Sequence, residues 1–254
     1  MLFEKQEYKE RLKKVKIDMQ KKGIDLLVSH DPANMNYLTG YDAWSFYYAQ
    51  CVLVHLNEDE PICFVRAQDG GGAYIKTYLK NENIIEYDEK YIHTWPLHPY
   101  QYLVEIIKKR KWDNLNIGLE MDSHYFTAYC YETIKKGLPN AKFKDAERLV
   151  NWVRVVKSNK EIKLMQSAAR IVESGMKTAF KSINPDIRQC VSGINIVGGV
   201  SGISYKSDSG WNDNLTRIAE AHPQSNLAKN QLRRSTKQVK TENVLKKHRK
   251  RNRW

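Results

Sequence analysis

The chain of 254 residues, 28% of them charged and 41% hydrophobic, is long enough for one large domain or two modest ones. Its net charge of +13 is concentrated at one end: from Lys229 to Trp254 there are eleven Lys or Arg against a single acid, Glu242, so that stretch carries +10 and the rest only +3. A basic nucleic-acid-binding body is thereby excluded, as is a membrane-spanning helix, since no window holds the roughly 18 uninterrupted apolar residues that one needs.

The first residues, MLFEKQEYKERLKKVK, are charged throughout and lack the apolar run of a signal peptide, which points to a cytoplasmic protein. Tyr8, Leu12, Val15 and Met19 recur at helical spacing and predict a helix from about Glu4 to Lys22, closed by Gly23. Leu26 to Ser29 reads as a short buried strand. Asp31-Pro32 then opens a turn, followed by NMNYLTGYDAWSFYYAQ, the densest run of aromatics in the chain. Cys51 to Leu56 and Pro61 to Val65 are apolar, β-branched runs joined by an acidic turn, as expected of an antiparallel pair.

Gly70-Gly71-Gly72 precedes AYIKTYLK, which reads as a short helix. No Lys-Ser or Lys-Thr follows at Walker spacing and no GxGxxG is present, so a phosphate loop is not expected. Ile84 to Tyr87 reads as a strand, Tyr100 to Arg110 as a helix, and Leu115 to Leu119 as a strand; Ser123 is the expected cap of the helix that closes at Gly137. This alternation predicts an α/β domain with a mixed sheet flanked by helices, ending near Lys157. Ser158 and Glu161 form a capping box that opens a further helix, with Ile162, Met165, Ala169, Val172, Met176 and Phe180 on its apolar face.

Beyond Pro185 the pattern fades. Cys190 to Gly202 reads as one strand, the polar stretch after Gly202 has no sustained helical or strand period, and the segment from Lys229 has the composition of disorder. The four cysteines, Cys51, Cys63, Cys130 and Cys190, are widely spaced and form no zinc-type cluster, so they read as buried free thiols of a reducing compartment.

Taken in order, EYKERL, DPANMNYLTGYDAWSFY, GLEMD, LPNAKFKDAERLVNWVRVVKSNKEI and AARIVESGM resemble the N-terminal domain of the creatinase and prolidase-like ("pita-bread") hydrolases. YLTGYDAWSFY, EMDSHYF and LVNWVR look most like the creatinase and ectoine-hydrolase branch, and the resemblance covers about Tyr8 to Cys190. It implies a usually homodimeric hydrolase of carbon–nitrogen bonds whose first domain is a ribonuclease-H-like α/β fold. That domain would close over a neighbouring subunit's active site and touch a small guanidino, cyclic-amidine or peptide-like substrate. The family's catalytic residues lie in the second domain, on two metal ions in its metallopeptidase members and on a histidine without metal in creatinase.

The similarity fades after KSINPDIRQC, and none of the family's five metal ligands can be matched. Asp208, Asp213, Glu220 and His222 are of metal-binding type but lie in a polar stretch with no such motif and read as surface residues. The expected organisation is a creatinase-like domain over residues 1–157, the start of a pita-bread domain truncated or frame-shifted after Cys190 over 158–190, and an irregular basic tail over 191–254. No catalytic residue, metal or cofactor is assigned. The expected partners are a second copy or a full-length homologue, with nucleic acid reached only through the tail.

Five residues are candidates for substrate contact. Trp44, Phe46 and Tyr48 share one face if the aromatic run is extended, and aromatic faces suit a zwitterion or a cationic amidine, or else pack an interface. By the resemblance, Phe46 is the aromatic that approaches substrate across the dimer. Arg66 and Asp69 follow a strand; the guanidinium can grip a carboxylate through two hydrogen bonds, or serve a salt bridge. His93, His98 and Trp95 read as residues of a surface loop, and Arg154 and Lys157 as residues of a hinge between domains.

Overall fold

A computed structural model describes residues 2–42, 45 and 47–182. Trp44 and Phe46 lie outside the described residues, as do the strand expected over 190–202, the basic tail and the four polar residues of metal-binding type. The chain divides into two units, residues 1–156 and 157–254.

The first unit is a mixed α/β domain. Helix α1 (Lys5–Lys22) buries the Tyr8, Leu12, Val15 and Met19 stripe and ends at Gly23, whose φ of 61° is the left-handed conformation that glycine adopts at least cost. The six strands are β1 (Leu26–Ser29), β2 (Cys51–His55), β3 (Ile62–Arg66), β4 (Ile84–Tyr87), β5 (Asn116–Leu119) and β6 (Lys142–Asp145), in the order β4-β3-β2-β1-β5-β6. Strand β2 pairs antiparallel with both its neighbours, and every other pairing is parallel.

Both faces of this sheet are covered. Leu27, Val52, Val54, Cys63 and Val65 face α1, α2 (Pro32–Thr39) and α6 (Leu149–Val155). Leu26, Val28, Leu53, Phe64, Ile117 and Leu119 face α4 (Pro99–Lys109) and α5 (Ala128–Gly137). Two-sided burial is why β1, β2 and β3 read as continuous apolar runs rather than alternating ones. Each such Val, Leu, Ile or Phe contributes about 1.5–3 kcal/mol on burial.

Three local expectations are corrected, and one strand is added. Asp31-Pro32 starts helix α2 rather than a turn, because the Asp31 carboxylate accepts hydrogen bonds from the Ala33 and Asn34 amides while Pro32 occupies the first turn. The three glycines lie inside α3 (Ala67–Lys76) rather than before it; a Cβ at Gly70 would come within 1.7 Å of Glu86 Oε1, so a larger residue there would displace the Glu86 side chain. Thr127, not Ser123, caps α5, through its Oγ1 and the Cys130 amide. The edge strand β6, KFKD, escapes a hydrophobicity reading because three of its four residues are exposed and charged, a composition that also protects a sheet edge.

In the second unit, α7 (Asn159–Ser182) starts at the expected capping box. The Glu161 amide donates to Ser158 Oγ, and the Ser158 amide donates to Glu161 Oε2. Its Ile162, Met165, Val172, Met176 and Phe180 are exposed. No helix among the described residues is long and apolar enough to cross a membrane. Cys51, Cys63 and Cys130 are free and buried, and Cys190 lies outside the described residues.

Candidate functional site

Because β2 alone runs against the rest, the carboxyl ends of β1, β3, β4, β5 and β6 meet at one edge of the sheet, and the chain enters β2 from that same edge. Open parallel sheets place ligand sites at this edge. It gathers Ser29 to Asp31, Arg66 to Asp69, the turn at Glu89, Glu120 to Asp122, and the loop from Asp42 to Gln50.

The base of that loop is tied down by side chains. Gln50 is its pivot: its carbonyl accepts from the Tyr41 hydroxyl at 2.9 Å, and its amide donates to Ser45 O and Oγ, each at 2.8 Å. The Ser45 hydroxyl in turn donates to Asp69 Oδ2 at 2.6 Å. The Tyr48 amide closes a turn on Ser45 O at 3.0 Å, so the extended conformation expected of the aromatic run does not include Tyr48. Strand pairing starts only at Cys51, and the Gln50 contacts hold the preceding residues in a turn.

Arg66 is brought to Tyr48, with its guanidinium 4.2 Å from the ring centroid. It is simultaneously gripped by Glu89: Nε lies 2.9 Å from both carboxylate oxygens and Nη2 2.6 Å from Oε2. Those hydrogen bonds hold the Glu89 carboxyl below the usual range and raise the Arg66 guanidinium. A second carboxylate reaching Arg66 must therefore share it with Glu89. Asp69 serves Ser45, and so three of the five expected residues, Tyr48, Arg66 and Asp69, lie together at the edge.

Beside the Tyr48 turn lies a pocket of about 420 Å³, walled by Tyr48, Tyr91, Trp95 and Tyr125 and floored by His98 and Cys130. His98 is not a free surface histidine. Its Nδ1 accepts from the Tyr100 amide at 3.1 Å and caps α4, while burial lowers its pKa to about 4. With Nδ1 an acceptor, the neutral ring carries its proton on Nε2, which lies 3.9 Å from Cys130 Sγ. His93 stacks edge-on to Tyr48 at 5.8 Å, and Trp95 lies 5.6 Å from Tyr129 across the rim.

The polar cleft of about 170 Å³ at the β1/β5 end of the edge is built on Glu120, which sequence reasoning missed. One carboxylate oxygen accepts from Ser29 Oγ at 2.8 Å and Asn34 Nδ2 at 2.7 Å; the other accepts from the amides of His30 at 2.7 Å and Asp31 at 3.0 Å. Burial pushes its pKa up, and these four donors pull it back. Asn34 continues the network, donating to Asn151 Oδ1 at 2.9 Å and accepting from Arg154 Nη1 at 2.7 Å. Arg154 thus anchors α6 to α2. Below the cleft His30 is fully buried between Tyr100 and Phe126, with neither ring nitrogen hydrogen-bonded among the described residues, and burial lowers its pKa to about 3.

Among the described residues no group of three or more His, Cys, Asp or Glu is arranged to hold a metal ion. A signal for Glu120 exists in the sequence, an acid directly following an apolar strand, but its donors come from residues about ninety positions away and appear only once β1 and β5 are neighbours.

Comparison with known proteins adds a frame to this geometry. Residues 11–156 match the family model of the creatinase/prolidase N-terminal domain. An uncharacterised hydrolase/peptidase of Sinorhizobium fredii is 43% identical over 188 residues, covering 74% of this chain and 48% of that protein. The ectoine hydrolase of Halomonas elongata is 42% identical over 186 residues, covering 73% and 46% respectively. The chain therefore spans about half the length of these curated relatives. Among solved structures, the prolidase of Pyrococcus horikoshii superposes with a TM-score of 0.58 at 16% identity, over 76% of this chain and 48% of that one, a likeness of fold.

Proposed function

The chain belongs to the creatinase/prolidase N-terminal domain family, and on that premise we propose that its first unit is the substrate-covering domain of a carbon–nitrogen hydrolase acting on a small guanidino, cyclic-amidine or peptide-like compound. The observation that carries this reading is the Asp42–Gln50 loop. Gln50, Ser45 and Asp69 pin its base, while Tyr48 is laid on the Arg66 guanidinium at the sheet edge. An aromatic ring carried on a loop anchored at its root, beside a cation at the end of β3, is suited to cover a ligand held elsewhere. The ectoine hydrolase among the relatives supports the cyclic-amidine member of the substrate class.

In this reading the unit covers and does not cleave. Glu120 is taken up by four donors and His30 is sealed in the core, so neither is placed to move a proton on a substrate. Covering a site on a neighbouring subunit makes a dimer part of the proposal, and sedimentation equilibrium at micromolar concentration that returns only monomer would remove that part. The test of covering itself is a chimera in which residues 1–156 replace the corresponding domain of the Halomonas elongata relative. The chimera is expected to hydrolyse ectoine with a KM at least tenfold below that of the relative's remaining half alone; equal KM values would overturn the reading.

A further inference from the structure

The aromatic pocket beside the Tyr48 turn has a chemical character unlike the rest of the surface. The chain is 28% charged, yet among the described residues no Asp, Glu, Lys or Arg lines this pocket. An ionic ligand would have to give up water there with no carboxylate, ammonium or guanidinium in the lining to pair with, which is costly, whereas an uncharged one gives up less. Its lining is rich in rings: Tyr48 lies against Tyr47 at 4.7 Å and His93 at 5.8 Å, and Trp95 lies against Tyr129 at 5.6 Å. The volume of about 420 Å³ falls within the range of small-molecule sites, about 300–1,000 Å³, and accommodates a flat one- or two-ring ligand.

One polar group at the floor has a fixed role. The Tyr100 amide occupies His98 Nδ1, so His98 Nε2 carries a proton to donate, and its contact with Cys130 Sγ at 3.9 Å is long. Cys130 Sγ meanwhile already receives the Thr127 hydroxyl at 3.2 Å. The donor is thus weakly engaged and can be taken over by a better acceptor.

The geometry points to a second ligand site on this domain: a pocket for an uncharged flat ring bearing a carbonyl-type acceptor, stacked between Tyr48 and Trp95 with its oxygen on His98 Nε2. The site goes beyond the covering role and shares with it only the Tyr48 turn. The same pocket would take a neutral cyclic amide as a free metabolite or as part of a capped peptide, since both offer the same ring and oxygen.

The test is a ligand-observed NMR titration of the full chain with three probes that share one ring and differ in charge: indole-3-carboxamide, indole-3-carboxylate and 3-(aminomethyl)indole. The carboxamide is expected to bind at least tenfold more tightly than either charged probe. Trp95→Ala, at an exposed position, is expected to weaken it at least fivefold. His98→Asn keeps a side-chain oxygen for the Tyr100 amide but removes the Nε2 donor; it is expected to weaken the carboxamide at least fivefold and leave unsubstituted indole within twofold. Equal affinity for all three probes, no carboxamide binding at millimolar concentration, or a carboxamide affinity indifferent to both substitutions would overturn the site. Binding is read without hydrolysis, so that result would leave the KM comparison of the chimera standing, and a failed chimera would leave the pocket standing.

Discussion

Two constellations at the same sheet edge use similar residue types to opposite ends. Around Glu120 a buried carboxylate is saturated by four donors, and Asn34 passes the network on to Asn151 and Arg154. Around Tyr48, Arg66 and His98 the groups are half open: Arg66 is shared between a carboxylate and a ring, and among the described residues His98 Nε2 reaches only a distant sulfur. The difference separates architecture from recognition. A charged residue at a strand end is no evidence of chemistry until its partners are counted, and only groups with capacity left over are available to a ligand.

The largest expected effect breaks the architectural side by acid. His30 is neutral when folded, with its pKa lowered from 6.5 to about 3, so between those values the unfolded chain binds the extra proton and stability falls as pH falls. The loss accumulates to roughly 4 kcal/mol by pH 3. Glu120, raised by burial, runs the other way, since its protonation favours the folded state. Comparing His30→Phe with the parent in urea titrations at pH 7 and pH 4 isolates the histidine: the variant is expected to lose less stability on acidification, and equal losses would contradict the buried neutral ring.

Next in size is Glu120→Gln, which sets an amide NH2 or a single carbonyl against donors that now meet two carboxylate oxygens. Unfolding free energy is expected to fall by about 3 kcal/mol, measured by urea denaturation, with a loss under about 1 kcal/mol counting against a saturated network. Asp31→Ala, which removes the cap of α2, is expected to cost about 1 kcal/mol by the same measurement. Smallest is Arg66→Ala. Its Glu89 partner is half exposed, so the pair contributes at most about 1 kcal/mol to stability. Glu120 substitutions are therefore expected to act on folding, and Arg66 substitutions on ligand affinity.

How much of this is legible in the sequence depends on how local each signal is. Helix α1 with its Gly23 cap, strand β1, the β2/β3 pair and the Ser158 capping box are readable because each is specified within a few adjacent residues. Strand β6 is not, since at the edge only Phe143 carries an apolar signal. Helix α2 reads as a turn because Asp-Pro begins both, and the Asp31 carboxylate decides between them by its hydrogen bonds. At the site, Arg66 and Asp69 are visible as charges following a strand. Glu89 and Glu120 are not, because their partners depend on strand order, and Gln50 is not, because its contacts with Tyr41 and Ser45 follow no recognisable sequence motif. The aromatic alternation expected at Tyr48 fails for a local reason, a side-chain pivot at Gln50 that bends the chain before β2 begins.

The most direct test of the covering role is the steady-state kinetics of Arg66→Ala in the chimera with the remaining half of the Halomonas elongata relative. KM for ectoine is expected to rise at least tenfold with kcat within threefold of the parent chimera, and melting temperature is expected to stay nearly unchanged. An unchanged KM, or a loss of activity that merely follows a loss of folded protein, would contradict the assignment of this edge to the substrate.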